Sequence, residues 1–328
     1  MKKSNERKFN LKSSLLLLLL TAVLLIVSSY AWFTSNQTVT VSSLNVNVEA
    51  KNGLQISADG TNWKSIIQNS DLTSVHSTTY TSSVNQIPSV LEPVSTAGSI
   101  DTTTGFMDMF YGVVGDRDDG QLTLSSTKET ELEGSTGKFI SFDLFFRVNA
   151  NTQIYLSTNS NVTYADANSR GMENAARIAF LNQGTVSAGA SISEIQGLKG
   201  ATTSFIWEPN YDVHTAAGVA NAYDVYGLSI AQTGTDPLPY HGIKAEIPEA
   251  TEVLLGHANS ANHSTLFDLV TPTYLTIKDF ASNTQVFTLQ SGITKMRIYM
   301  WIEGQDVDCE NTASGSNIQY NLQLTVNP

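Results

Sequence analysis

One cysteine, Cys309, is present in 328 residues, so the chain can form no internal disulfide and its fold must rest on packing. Cys309 is then either a part-buried thiol or one half of a bridge between copies. Charge is also scarce, at 15% of residues, and positive charge is the scarcer sign: 18 Lys and Arg stand against 30 Asp and Glu, a net charge of −12. No basic stripe is available to neutralise phosphates, so nucleic acid is not an expected partner. Few charges with abundant Ser, Thr, Asn and Gly suit strands and loops better than solvated helices.

Catalytic signatures are missing too. The histidines are His76, His214, His241, His257 and His263, and none stands in H-E-x-x-H. His257 and His263 are six residues apart in HANSANH, which rules out a zinc-binding helix turn. No G-x-S-x-G elbow occurs. Gly134-Ser-Thr-Gly-Lys138 lacks a phosphate loop's first glycine, replaced by Leu132, and its Ser/Thr, replaced by Phe139. Heptads and fixed-period repeats are absent, which excludes coiled coils and solenoids. The expectation is a protein that is not an enzyme and holds no cofactor.

What is present begins with a leader. Lys2, Lys3, Arg7, Lys8 and Lys12 precede an unbroken apolar run from Leu15 to Val27, then Ser-Ser-Tyr-Ala. This is the three-part pattern of a secretory signal, with Ser29 and Ala31 as the small residues before the cut. Cleavage is expected between Ala31 and Trp32, giving a signal at 1–31 and an exported body at 32–328. The other reading is a retained anchor, but a spanning helix wants ~20 apolar residues, and this run nears that length only if Ser28–Phe33 are included. Membrane contact is expected through this segment alone, before cleavage. Removing five basic residues and one acidic leaves 13 and 29, a charge of −16 on the mature chain.

Alternation of apolar and polar residues marks several strands. Ile318, Tyr320, Leu322, Leu324 and Val326 face one way in the last. Ile140, Phe142, Leu144, Phe146 and Val148 form a second, with Ser141, Asp143 and Arg147 opposite. A third has Met296, Ile298, Met300 and Ile302 inward and Lys295 and Arg297 outward, with Tyr299 and Trp301 sharing the outer face. Being apolar on both sides near its end, it is expected centrally or beneath a loop. Near the start, Val39 and Val41 are out of phase with Leu44, Val46 and Val48, so a bulge or a change of sheet is expected at Ser42-Ser43. Asp59-Gly60 signals a hairpin, and residues 153–157 add a short strand. Residues 68–105 read as loops or edge strands, and 170–182 as a helix or a strand at Arg177–Leu181. These elements predict a mostly β fold: an antiparallel, jelly-roll-like β-sandwich with a loop-rich inserted lobe at 165–290.

Two acidic clusters are candidate calcium ligands. Asp116, Asp118 and Asp119 stand before Gly120 in D-x-D-D-G, off the register of a helix-flanked calcium loop. Asp306 and Asp308 lie among Glu303 and Glu310 between two predicted strands. Each cluster is either a solvated turn or a weak oxygen site of extracellular type. Tyr211, Tyr223, Tyr226 and Tyr240 form a second candidate, as core packing or as a stacking surface for sugars.

The junction Tyr30-Ala-Trp-Phe-Thr-Ser35, followed by a Val/Ser/Thr-rich strand and Ser43-Leu-Asn-Val-Asn-Val48, resembles the exported TasA/camelysin-type proteins of Firmicutes. The resemblance covers about 30 residues, and Trp207-Glu-Pro-Asn210 and Trp301-Ile-Glu-Gly-Gln-Asp306 look like pieces of clostridial surface proteins. It implies a jelly-roll-like sandwich and, in some members, biofilm fibres built by passing an N-terminal strand to a neighbour. Here that assembly strand would carry Val39, Val41, Leu44, Val46 and Val48. The metal-binding helix that camelysin's classification among peptidases would need is absent. The expected function is a secreted or cell-surface matrix protein, partnered by its own copies or by other surface proteins. The alternative is an adhesin that binds glycan or protein through its middle region.

Overall fold

Alternation becomes structure most directly in the last described strand, where every second side chain from Ile318 to Val326 is buried. The computed structural model describes residues 38–48, 53–76, 78–116, 122–166, 169–234, 237–253, 263–275, 284–310 and 313–326. The expected signal at 1–31 and the Ala31/Trp32 cleavage point lie outside them. Strand outweighs helix by 45% to 9%, which makes the fold mostly β.

In chain order the strands are β1 (Val39–Val48), β2 (Gln55–Ser57), β3 (Val90–Leu91), β4 (Phe110–Asp116), β5 (Leu122–Lys128) and β6 (Ile140–Val148). Next come β7 (Thr152–Leu156), β8 (Asn161–Tyr164), β9 (Ala176–Val186), β10 (Ser204–Glu208), β11 (Tyr240–Ile243) and β12 (Ile247–Val253). The series ends with β13 (Phe267–Val270), β14 (Thr273–Tyr274), β15 (Thr284–Leu289), β16 (Gly292–Ile302) and β17 (Asn317–Val326). One six-stranded sheet has the order β15-β7-β17-β1-β3, with β8 also on β17. A second has the order β14-β10-β9-β16-β6-β2. A three-stranded sheet, β12-β5-β4, and the pair β11-β13 complete the set.

Two pairings depart from the antiparallel expectation. β1 runs parallel to β17, and β10 parallel to β14. A parallel pair needs a long crossover between its strands, and β1 and β17 are separated by nearly the whole described chain. The parity switch in β1 is a bulge within one sheet. Val41 pairs with Ile318 and Ser43 with Gln319, leaving Ser42 unmatched, and the Ser42 hydroxyl donates to the Ile318 carbonyl at 3.1 Å. The extra residue returns Val39 to the buried side with Leu44, Val46 and Val48, while Val41 stays half-buried.

β16 lies between β6 and β9, and all of its residues are buried. Its two faces meet different neighbours. On one, Phe146 of β6 and Phe180 of β9 touch Phe287 of β15, and the Tyr320 hydroxyl of β17 donates to the Trp301 carbonyl at 3.1 Å. On the other, Tyr299, Trp301, Ala179 and Leu181 pack with Val94, Met107, Met109 and Phe139. Each large apolar side chain enclosed in this way contributes roughly 1.5–3 kcal/mol. Because residues 80–86, Phe106, Glu131 and Gln196 also cover this second face, Ser141, Asp143, Lys295 and Arg297, expected to face outward, are buried. Arg147 alone follows expectation, half-exposed over the Trp63 ring.

The segment 165–290, expected as an inserted lobe, instead supplies β9, β10 and β14 to the sheet of β16. Residues 176–186 take the strand alternative, and the helix Ala216–Tyr226 was not anticipated. At Asp59-Gly60 the chain turns with Gly60 at φ 74°, a conformation that suits glycine, while Asp59 accepts from the amides of Thr61 and Asn62. Beyond the turn, pairing is reduced to one bridge, Ile56 with Lys64. Among the described residues no helix is long and apolar enough to cross a membrane.

Candidate functional site

The densest chemistry gathers where β9, β10 and the end of β16 meet the turn Glu303–Glu310. Arg177 is directly opposite Trp301 in the β9–β16 ladder and is fully buried. Its guanidinium reaches Asp306 through Nη2, and Glu208 Oε1 lies 3.1 Å from the same nitrogen. Nη1 donates to the carbonyls of Asn174 and Ala176, and the Tyr240 ring lies 5.6 Å away. Glu303, also fully buried, accepts from the Trp301 indole N–H at 3.0 Å and from the Gln305 amide at 3.1 Å.

The far side of the turn is held by the helix Ala216–Tyr226. Thr215 caps it, its hydroxyl accepting from the Gly218 amide at 2.8 Å and lying 3.0 Å from both Asp308 and Glu310. Asp308 accepts from the Thr215 amide at 2.7 Å and lies 2.8 Å from His214 Nδ1. A helix N-terminus favours negative charge, and two carboxylates are held there. Gly218 is what lets Asp308 approach, because a Cβ at that position would sit 2.0 Å from its Oδ1.

Charge does not balance here. Glu208, Glu303, Asp306, Asp308 and Glu310 face one arginine and one histidine, all buried. Burial disfavours the ionised forms. It pushes Glu208 up to about 8, with Asp306 and Asp308 adding repulsion and Arg177 opposing it. It pushes Glu303 up to about 7 against the bonds from Ser95 and Trp301, and Asp308 up to about 6 against His214. One guanidinium cannot neutralise two carboxylates. Glu208, whose Oε2 has no hydrogen-bond partner, is the carboxyl that burial pushes furthest towards its neutral form. Burial thus biases the cluster towards holding protons. Burial also raises the Cys309 thiol well above its ordinary range, with the same carboxylates adding to it.

A second buried network lies on the 94–109 side of the same sheet, and it does balance. Arg297 Nη1 bonds Asp143 at 2.8 Å, and Nη2 reaches Glu131. Lys295 Nζ is 3.2 Å from Asp143 and donates to the Tyr80 hydroxyl at 2.8 Å; that hydroxyl in turn donates to Asp143. Burial alone would raise Asp143, but Lys295 and Arg297 outweigh it and hold the carboxyl below its usual range.

The sequence candidates fare differently. Asp306 and Asp308 are neither a solvated turn nor open to calcium. Their oxygens are engaged by Arg177, His214 and the amides of Asp308 and Thr215. Among the described residues no group of three or more His, Cys, Asp or Glu is placed to hold a metal ion. Asp118, Asp119 and the side chain of Asp116 lie outside what is described. The tyrosines do not assemble: Tyr240 is buried beside Arg177, Tyr211 meets Tyr274 with the rings tilted by 50°, and Tyr223 stands exposed on its helix. The side chain of Tyr226 is not described. Val39, Leu44, Val46 and Val48 are buried against their own chain.

Sequence reasoning missed Arg177, Glu208 and His214 as partners of the acidic turn. Charged residues set among large apolar ones on both strand faces, as at Lys295, Arg297 and Arg177, were the available signal. The chain matches no family model, no curated protein and no solved structure.

Proposed function

We propose that this chain is a non-enzymatic structural protein of a cell surface or extracellular matrix, a jelly-roll-like sandwich that joins its copies through the N-terminal strand. The placement of β1 carries this reading. It is the first described strand, and it pairs in parallel with the last from Thr40 to Val48. It buries Val39, Leu44, Val46 and Val48 there. Its partner β17 comes from the far end of the described chain, so a second copy can supply the same strand in the same register. Among the described residues, the edge of β1 away from β17 pairs with β3 at Val39 and Thr40, and its Val41 amide donates to the Ser89 carbonyl at 2.8 Å, which leaves ladder positions beyond Val41 for a further strand. The contacts of Phe146 and Phe180 with Phe287 support the face-to-face arrangement of the two large sheets. The basic and then apolar leader supports export.

The test compares protein starting at Trp32 with protein starting after Val48, by electron microscopy and light scattering. Filaments or oligomers that need β1, and that the truncated form regains with a peptide of residues 38–48, are expected. A monodisperse monomer at all concentrations, with the truncated form unable to capture the peptide, overturns the assembly.

A further inference from the structure

The sheet that holds β1 and β17 differs from the other sheets in what it lacks. No residue of β1, β3, β7, β8, β15 or β17 is Asp, Glu, Lys, Arg or His, in a chain with 30 acidic and 18 basic residues. Its inward positions are apolar. Its outward positions are amides and hydroxyls aligned across strands. Asn45 is directly opposite Asn321, which is opposite Asn161. Ser43 is opposite Gln319, which is opposite Thr163, and Asn47 is opposite Gln323. Asn45 and Thr163 are exposed, and the other six are partly buried but reach solvent. The rows stand ~7 Å apart along the strands, with neighbours ~4.8 Å apart across them.

One end of this face is concave. A recess of 540 Å³ is lined by Asn47, Gln323, Thr325, Ser157, Asn159 and Ile66, and none of its described lining residues is charged. Ile66 stands 56% exposed at this recess, an aliphatic surface beside the amides. The volume falls within the ordinary range of small-ligand sites.

We propose that this face and its recess bind an uncharged polysaccharide. An amide both donates and accepts, which matches neighbouring sugar hydroxyls, and Ile66 offers contact to the apolar face of a ring. The face has no charge with which to hold an ionic partner, and an acidic body repels polyanions. A second copy is the poorer occupant. Two such faces in contact would desolvate rows of amides with little apolar area in return, and the recess would stay unfilled. The recess takes Asn47 and Val48 from β1 whichever copy supplies that strand, so the inference does not depend on strand exchange.

The experiment is native electrophoresis of the mature chain in gels containing dextran, laminarin, hydroxyethylcellulose or galactomannan, with polygalacturonate as the charged control. Mobility is read relative to polymer-free gels. At least one neutral polymer is expected to retard the protein, and polygalacturonate is not. Asn47→Asp with Gln323→Glu keeps shape, adds charge to the recess and is expected to weaken retardation by roughly tenfold or more, because ligand hydroxyls lose their amide donors. Equal melting temperatures of variant and parent show that the loss is not unfolding. No retardation by any neutral polymer overturns the proposal, as does unchanged retardation of the double variant. It is overturned too if the substitutions alter self-association in light scattering while no polymer binds, which makes the face a contact between copies.

Discussion

His214 Nδ1 and the Asp308 carboxylate lie 2.8 Å apart, although 94 positions separate them in the chain. This contact ties the start of a helix to the acidic turn that closes the central sheet. It depends on Gly218, whose missing side chain leaves room for the Asp308 oxygen.

Gly218→Ala is therefore expected to destabilise the protein. Its Cβ would fall 2.0 Å from Asp308 Oδ1, so the turn or the helix has to move. A cost of about 2 kcal/mol and a melting temperature lower by several degrees are expected. Gly189→Ala, which meets nothing within 4 Å, is the control and should be neutral. Equal melting curves for the two variants would refute the packing argument.

Stability is expected to fall as pH rises from 5 to 8.5. Glu208, Glu303 and Asp308 have folded pKa values raised by burial to about 8, about 7 and about 6. The folded chain thus holds protons that the unfolded chain releases above pH ~4–5. Their stabilisation is complete below that range and is lost as pH climbs through the folded values. A shift of the size of Glu303's corresponds to roughly 3 kcal/mol. Asp143 has the opposite sign, lowered in the fold, and removes stability in acid. Urea midpoints across pH should therefore peak near pH 5–6, and Glu208→Gln should flatten the alkaline arm. A midpoint that rises towards pH 8.5 would contradict the protonated cluster.

Asp143→Ala leaves Lys295 and Arg297 buried without their shared carboxylate. Removing one partner of such a network costs about 3–5 kcal/mol. The drop should be plain in chemical denaturation while the strand content of the native state is retained. A loss below about 1 kcal/mol would mean that water or Glu131 takes over the charge.

Deleting Ser42 removes the extra residue and its bulge together, which sets Val39 and Val41 in plain alternation with Leu44, Val46 and Val48. Amides of residues 39–41 are expected to keep or gain protection from hydrogen exchange, as those of 44–48 keep theirs. Loss of protection at 39–41 would show that the bulge itself is needed to hold the register.

Much of the fold was legible because alternation is a local property. The buried sets of β17 and β6, the central place of β16 and the irregularity at Ser42-Ser43 all follow from which residue types recur at period two. The same reasoning placed Asp143, Lys295 and Arg297 towards water, because alternation separates two faces without telling what covers each. Val94, Met107, Met109 and Phe139 come from segments with no strand pattern of their own, yet they close over the second face of the sheet.

By itself the sequence determined the strand content, the acidic balance, the single thiol and the uncharged composition of individual strands such as β1 and β17, all of which depend on residue type and short-range order. Only the tertiary structure decided that β1 lies parallel to β17, that Arg177 and His214 take up the carboxylates of the acidic turn, and that burial pushes the Glu208 carboxyl up. Those outcomes join residues far apart in the chain. Burial then sets their energies, since a carboxylate in water and the same carboxylate beside one shared guanidinium in the core differ in charge.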